Sequence, residues 1–189
     1  MSLEDIRGLA AYETVRDEFR RRIIELKKTR RISLGDRISL VFENRDTVIF
    51  QIQEMLRAER TTDIDKIREE IEVYNGLIPE QAELSATLFL EIEDQSRLRE
   101  QLLGFLGIDE VVFLQVGEHS IHARFEQGHS KEDKISAVQY VRFPFTQDQI
   151  RAFTKGDQDA VLIIDHPNYR ARATIEPGAR KSLAEDLST

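Results

Sequence analysis

Residues 27–60 read KKTRRISLGDRISLVFENRDTVIFQIQEMLRAER. The run joins the basic end of one helix to a strand-like segment and then to a second helix. Ile32 to Phe42 shows strand-like apolar spacing around Leu34-Gly35-Asp36. Gly35-Asp36 suits a tight hairpin turn or a bulge. Asn44 or Asp46 can cap the helix that follows to about Arg60, since a short side-chain oxygen accepts from the free N–H groups of a first turn.

Upstream, Tyr12, Val15, Phe19, Ile23, Leu26 and Arg30 recur at three- and four-residue spacing, which is one helical face. The other faces are charged, and basic residues gather toward the C-terminus, where the helix dipole favours them. Downstream, Thr61-Thr62-Asp63 breaks one helix and caps the next, whose buried face is predicted as Ile64, Ile67, Ile71 and Tyr74. Asn75-Gly76 is expected to end it in the left-handed conformation. From Leu84 the period changes to that of strands. Segments 84–92, 110–116, 119–126, 134–143, 160–164 and 169–176 read as strands. Gly117-Glu118 makes a two-residue hairpin, and the wholly apolar Ala160–Ile164 is expected to be central. Thr146-Gln147-Asp148-Gln149 is a capping box. Glu126 to Asp133 is read as a polar surface loop.

The strands are linked by hairpins or short helices, with no regular βαβ alternation. The fold class is therefore α+β: an N-terminal helical arm packed on a mostly antiparallel or mixed β-sheet with short helices. Residues 1–80 form the mainly helical region and 81–189 the sheet region, within one integrated domain.

A chain of 189 residues buries a core without covalent staples. Its formal net charge of -8 disfavours nucleic acid and anionic membrane surfaces as partners. With no cysteine, disulfides, thiolate metal sites and cysteine nucleophiles are excluded. No apolar run reaches membrane-spanning length, and MSLEDIRGLA lacks a signal core, so a cytoplasmic location is expected.

Glu59 falls inside the apolar stripe of Val48, Ile49, Ile52, Met55 and Leu56. A carboxylate there must pair, shift its pKa or sit where the helix has cleared the core. Arg30 is likewise in register with an apolar face, so the expectation is that Arg30 or Arg31 pairs with Glu59; the alternative is that both reach water at helix ends. The opposite face carries Phe50, Glu54 and Arg57, an aromatic among charges that marks a contact to another element or subunit.

His119 and His122 point to opposite faces of a strand and cannot easily share a metal. His122, Arg124 and Glu126 share a face, which lines a groove for an anionic ligand or is solvated. His129 lies in the polar loop. Asp165-His166 ends an apolar strand, where sites on sheets gather, though Asp-His-Pro-Asn is also ordinary turn chemistry. The candidate ligand-binding residues are thus Arg30, Arg31, Glu59, His122, Arg124, Asp165 and His166, with no metal ligand and no cofactor. There is no P-loop, GxGxxG, HExxH or EF-hand loop, and no triad is legible.

Several segments together resemble an uncharacterised bacterial family, domain of unknown function 3501. They are Tyr12-Glu13 with Arg16, Lys27 to Arg31, Phe42-Glu43-Asn44-Arg45, Gln51 to Met55, Tyr74-Asn75, Leu84 to Leu88, and Asp165-His166-Pro167 with Tyr169. Members are often encoded near rubrerythrin-like proteins and iron–sulphur oxidoreductases. The resemblance thus implies a redox or oxidative-stress setting, and it carries over no catalytic residue. Any cluster or thiol chemistry would belong to a partner. The leading expectation is a non-catalytic accessory or interaction protein, a homodimer with a rubrerythrin-like or iron–sulphur partner. The alternative is a small-ligand-binding protein or enzyme with an Arg/Glu/His-lined pocket between sheet and arm. An enzyme would hold His122 or His166 at hydrogen-bond distance from a carboxylate.

Overall fold

A computed structural model describes residues 1–92, 94–126, 130–131 and 134–188, with the backbone alone at 95, 130, 131 and 134. Helix α1 (Leu9–Arg30) buries Tyr12, Ile23 and Arg30, with Val15, Phe19 and Leu26 half-buried on the same face. Strands β1 (Arg31–Leu34) and β2 (Ile38–Glu43) follow as an antiparallel hairpin. Its turn needs Gly35, whose φ is 70° and whose missing Cβ leaves room for the Tyr169 hydroxyl. Helix α2 (Arg45–Glu59) starts on a reciprocal cap: Asn44 Oδ1 accepts from Thr47 N at 3.0 Å, and Thr47 Oγ1 accepts from Asn44 N at 2.9 Å.

Helix α3 (Ile64–Asn75) is capped by Asp63, which accepts from Asp65 N at 2.9 Å. Ile71 is buried there, and Ile67 and Tyr74 are half-buried. Ile64 departs from expectation at 53% exposed: as the first helical residue it stands beyond the Ile52–Leu56–Ile71 cluster that the rest of the face joins. Gly76 also differs, since it ends the helix at φ -59° and not in the left-handed region. A left-handed helix end is found instead at Arg60, at φ 53° after α2.

The second half supplies β3 (Glu83–Leu90), α4 (Leu98–Leu103), β4 (Val112–Val116), β5 (His119–His122), β6 (Arg124–Phe125), β7 (Ser130–Lys131), β8 (Lys134–Ile135), β9 (Val138–Pro144), α5 (Gln147–Lys155), β10 (Ala160–His166), β11 (Tyr169–Thr174) and α6 (Pro177–Asp186). Among the described residues every strand pairing is antiparallel. One sheet runs β1-β2-β3-β9-β6 and another β11-β10-β4-β5, with β7-β8 a short ladder. Ala160–Ile164 is central in its sheet, as its unbroken apolar run predicts. Residues 127–129 and 132–133 of the expected loop, His129 among them, lie outside the described residues.

The inward faces of both sheets meet in one core. Leu40, Leu88 and Phe143 come from the first sheet and Leu114, Leu162 and Ile164 from the second, with Phe153 and Leu183 added by α5 and α6. The expected strand 119–126 serves both sheets, because the chain leaves the second at Ala123 and enters the first at Arg124. Ala123 N still donates to Val112 O at 2.9 Å, so the buried Ala123 amide stays paired at the crossing. At the opposite corner Tyr169, the first residue of β11, joins the β1–β2 turn: its hydroxyl donates to Leu34 O at 2.5 Å and accepts from Arg37 N at 3.2 Å.

Candidate functional site

Helices α1 and α2 lie antiparallel and meet through paired side chains. Glu13 takes Arg57 at 2.5 Å, Arg16 grips both oxygens of Glu54 at 2.7 Å, Phe19 meets Phe50 edge-to-face at 5.4 Å, and Arg22 faces Asp46 at 3.4 Å. Tyr12 also donates to Glu54 at 2.9 Å. The face of Phe50, Glu54 and Arg57 is therefore the contact that its aromatic suggested. The Arg16 hydrogen bonds hold the Glu54 carboxyl below its ordinary range. Burial, then the bond to Glu54, pushes the Tyr12 phenol well up.

This antiparallel packing overturns the expected pair of Arg30 or Arg31 with Glu59. Arg30 ends α1 beside the start of α2, whereas Glu59 ends α2 beside the start of α1. Glu59 is exposed, close enough to Tyr74 to help raise its phenol, after burial and Glu70. Arg30 instead turns inward and is 1% exposed. Its guanidinium donates to Phe42 O at 2.8 Å, Glu43 O at 3.1 Å and Ser182 Oγ at 3.1 Å, and it pairs with the Asp186 carboxylate. Burial pushes the Asp186 carboxyl up and outweighs the opposing pull of Arg30. Arg31 lies on the outer surface, bonded to Ser39 Oγ at 2.8 Å and placed over the Phe89 ring.

Between α1 and the five-stranded sheet lies a second polar seam. Glu43 is buried on the outer face of β2; Oε1 accepts from Thr87 Oγ1 at 2.9 Å, and Oε2 has the Lys27 ammonium at 3.8 Å but no hydrogen-bond donor. Across the sheet Glu43 is in register with Ser85, then Arg142, then Arg124. Burial falls along this row, from 2% exposure at Glu43 to an exposed Arg124. Arg142 is engaged by Glu83 and the Gly76 carbonyl.

The other sequence candidates are dispersed. His122 is exposed, stacks on Phe113 at 4.9 Å and bonds Glu110 O at 3.1 Å. His122, Arg124 and Glu126 all face solvent. His166 is buried; Nδ1 accepts from Asn168 N at 3.2 Å and Nε2 donates to Leu106 O at 2.8 Å, the pattern of an imidazole protonated on Nε2. Asp165 pairs across the hairpin with Arg170 at 2.8 Å, and both are exposed. Among the described residues no group of three or more His, Asp or Glu is arranged to hold a metal ion. Sequence reading missed Asp186, Ser182 and Lys27 as partners. Nothing in the local pattern announces a bond between residues so far apart.

The model of a family described as "Protein of unknown function (DUF3501)" matches residues 1–187. This chain belongs to the DUF3501 family. A crystal structure of a novel protein of unknown function from Burkholderia pseudomallei K96243 shares the fold. That structure has a TM-score of 0.92 and 34% identity, over 99% of this chain and 98% of that one. No curated protein matches the chain.

Proposed function

We propose that this DUF3501 chain is a non-catalytic accessory protein, a cytoplasmic homodimer whose helical arm meets an iron-binding partner. The observation that carries the accessory reading is where the two candidate histidines go. His122 and His166 both bond main-chain carbonyls, and among the described residues neither is hydrogen-bonded or ion-paired to a carboxylate as a general base would be. The redox setting rests on the family's association alone. The arm offers the surface: Arg20, Arg21 and Lys28 are exposed on α1, and Val73 of α3 is 70% exposed. Regions 1–80 and 81–189 are proposed to work as one integrated domain. No helix among the described residues is long and apolar enough to cross a membrane.

Affinity purification from the native host, followed by mass spectrometry and iron analysis, tests this. A rubrerythrin-like or iron–sulphur protein should be recovered in a fixed ratio with the chain, and sedimentation should give twice the monomer mass. A monomer recovered alone with a turned-over metabolite would reject the reading.

A further inference from the structure

The arm holds a cleft of about 410 Å³ between the N-terminal segment, α1 and α2. That size lies within the range of roughly 300–1,000 Å³ common to small-molecule sites. Its apolar wall is Val15, Phe19 and Ile49. The lining also includes three arginines, Arg7, Arg22 and Arg45, and three acids, Asp5, Glu18 and Asp46. The lining therefore carries no net charge, and it favours a net-neutral ligand over a simple anion.

Pairing within the cleft is unequal. Arg45 is tied to Asp5 at 2.6 Å, and backbone and Arg45 hydrogen bonds hold the Asp5 carboxyl below its usual range. Arg22 lies 5.0 Å from the Phe19 ring centroid and faces Asp46 at 3.4 Å. Arg7 and Glu18 are different: neither side chain has a hydrogen-bond or ion-pair partner among the described residues, and both are exposed. Yet the backbone of Arg7 is fixed. Gln53, 1% exposed, accepts from Arg7 N at 2.7 Å and donates to Arg7 O at 3.1 Å. A buried amide from α2 thus pins the backbone of Arg7, a lining residue of the cleft, while its guanidinium has no partner among the described residues.

One free cation, one free anion and an apolar wall in a neutral cleft describe the complement of a zwitterion with an apolar body. We infer that the cleft binds an apolar α-amino acid, its carboxylate on Arg7, its ammonium on Glu18 and its side chain against Phe19 and Ile49. This does not depend on the accessory reading: loss of the partner protein leaves it standing, and its own failure leaves the partner untouched.

Calorimetric titration with L-phenylalanine, 3-phenylpropanoate and phenethylamine tests it. Phenylalanine should bind saturably and about tenfold more tightly than either analogue, the size of effect expected for one charged hydrogen bond. Arg7→Ala should weaken phenylalanine about tenfold and spare phenethylamine, and Glu18→Gln should weaken phenylalanine and spare 3-phenylpropanoate. Both residues are exposed, so melting temperatures should not change. Equal binding of all three compounds, no saturable heat from any, or a variant with unaltered phenylalanine affinity would overturn the assignment.

Discussion

Arg30 is the largest fully buried side chain among the described residues, and a guanidinium has no place in a core unless its donors are matched. Its partners come from β2 and α6, so it fastens three elements at one point. Arg30→Ala would leave Asp186 buried without its cation and remove the guanidinium donors from the Phe42 and Glu43 carbonyls; urea denaturation should show a loss of about 3–5 kcal/mol. Glu59→Gln, at an exposed helix end, should stay within about 0.5 kcal/mol. The arm also carries a pH signature. Glu54 has a folded-state pKa below its unfolded value, so its stabilisation is complete above the ordinary carboxylate range and is lost as pH falls through the folded value. Tyr12 has the opposite sign: its pKa is raised, so its contribution is present below the ordinary phenol value and is lost at higher pH. Melting curves across pH should fall at both limbs. Glu54→Gln should flatten the acid limb and Tyr12→Phe the alkaline one.

Elements were legible where a short-range rule governs them. The helical face of α1, the Asn44 and Thr146 caps, the Gly35 and Gly117 turns and the central Ala160–Ile164 strand all follow from periodicity or local hydrogen bonding. The mistaken Glu59 pair shows where this runs out. A stripe says which face is buried but not which way the neighbouring helix runs. The missing information was in the charges: Glu13 with Arg57, Arg16 with Glu54 and Arg22 with Asp46 are opposite in sign and advance along α1 as they retreat along α2. That is an antiparallel ladder written in the sequence. Swapping one rung tests it. Arg16→Glu and Glu54→Arg should each destabilise the arm, and the double variant should recover part of the loss, with a coupling of roughly 0.5–3 kcal/mol in a double-mutant cycle. The crossing at Ala123 had no comparable signal, because a strand that changes sheets keeps its alternation throughout.

At the scale of the molecule, the N-terminal region shares both a sheet and a core with the rest of the chain. Strand β2 pairs with β3 and β1 pairs with β2 at the edge of the five-stranded sheet, and their apolar residues enter the same core as β10 and α6. Thermal unfolding followed by circular dichroism and by near-ultraviolet absorbance of the tyrosines should give one coincident transition; two separated transitions would mean independent halves. The Arg30 junction also has a bearing on biosynthesis. It joins positions 156 residues apart, and every group that neutralises the guanidinium from α6 is made long after α1. On the ribosome α1 and the β1–β2 hairpin emerge before α6, so the Arg30 cation has the Phe42 and Glu43 carbonyls but not yet the carboxylate that answers its charge. The C-terminal end of α1 is thus fully secured only when α6 arrives, and until then the nascent chain presents a basic, half-closed seam to whatever meets it.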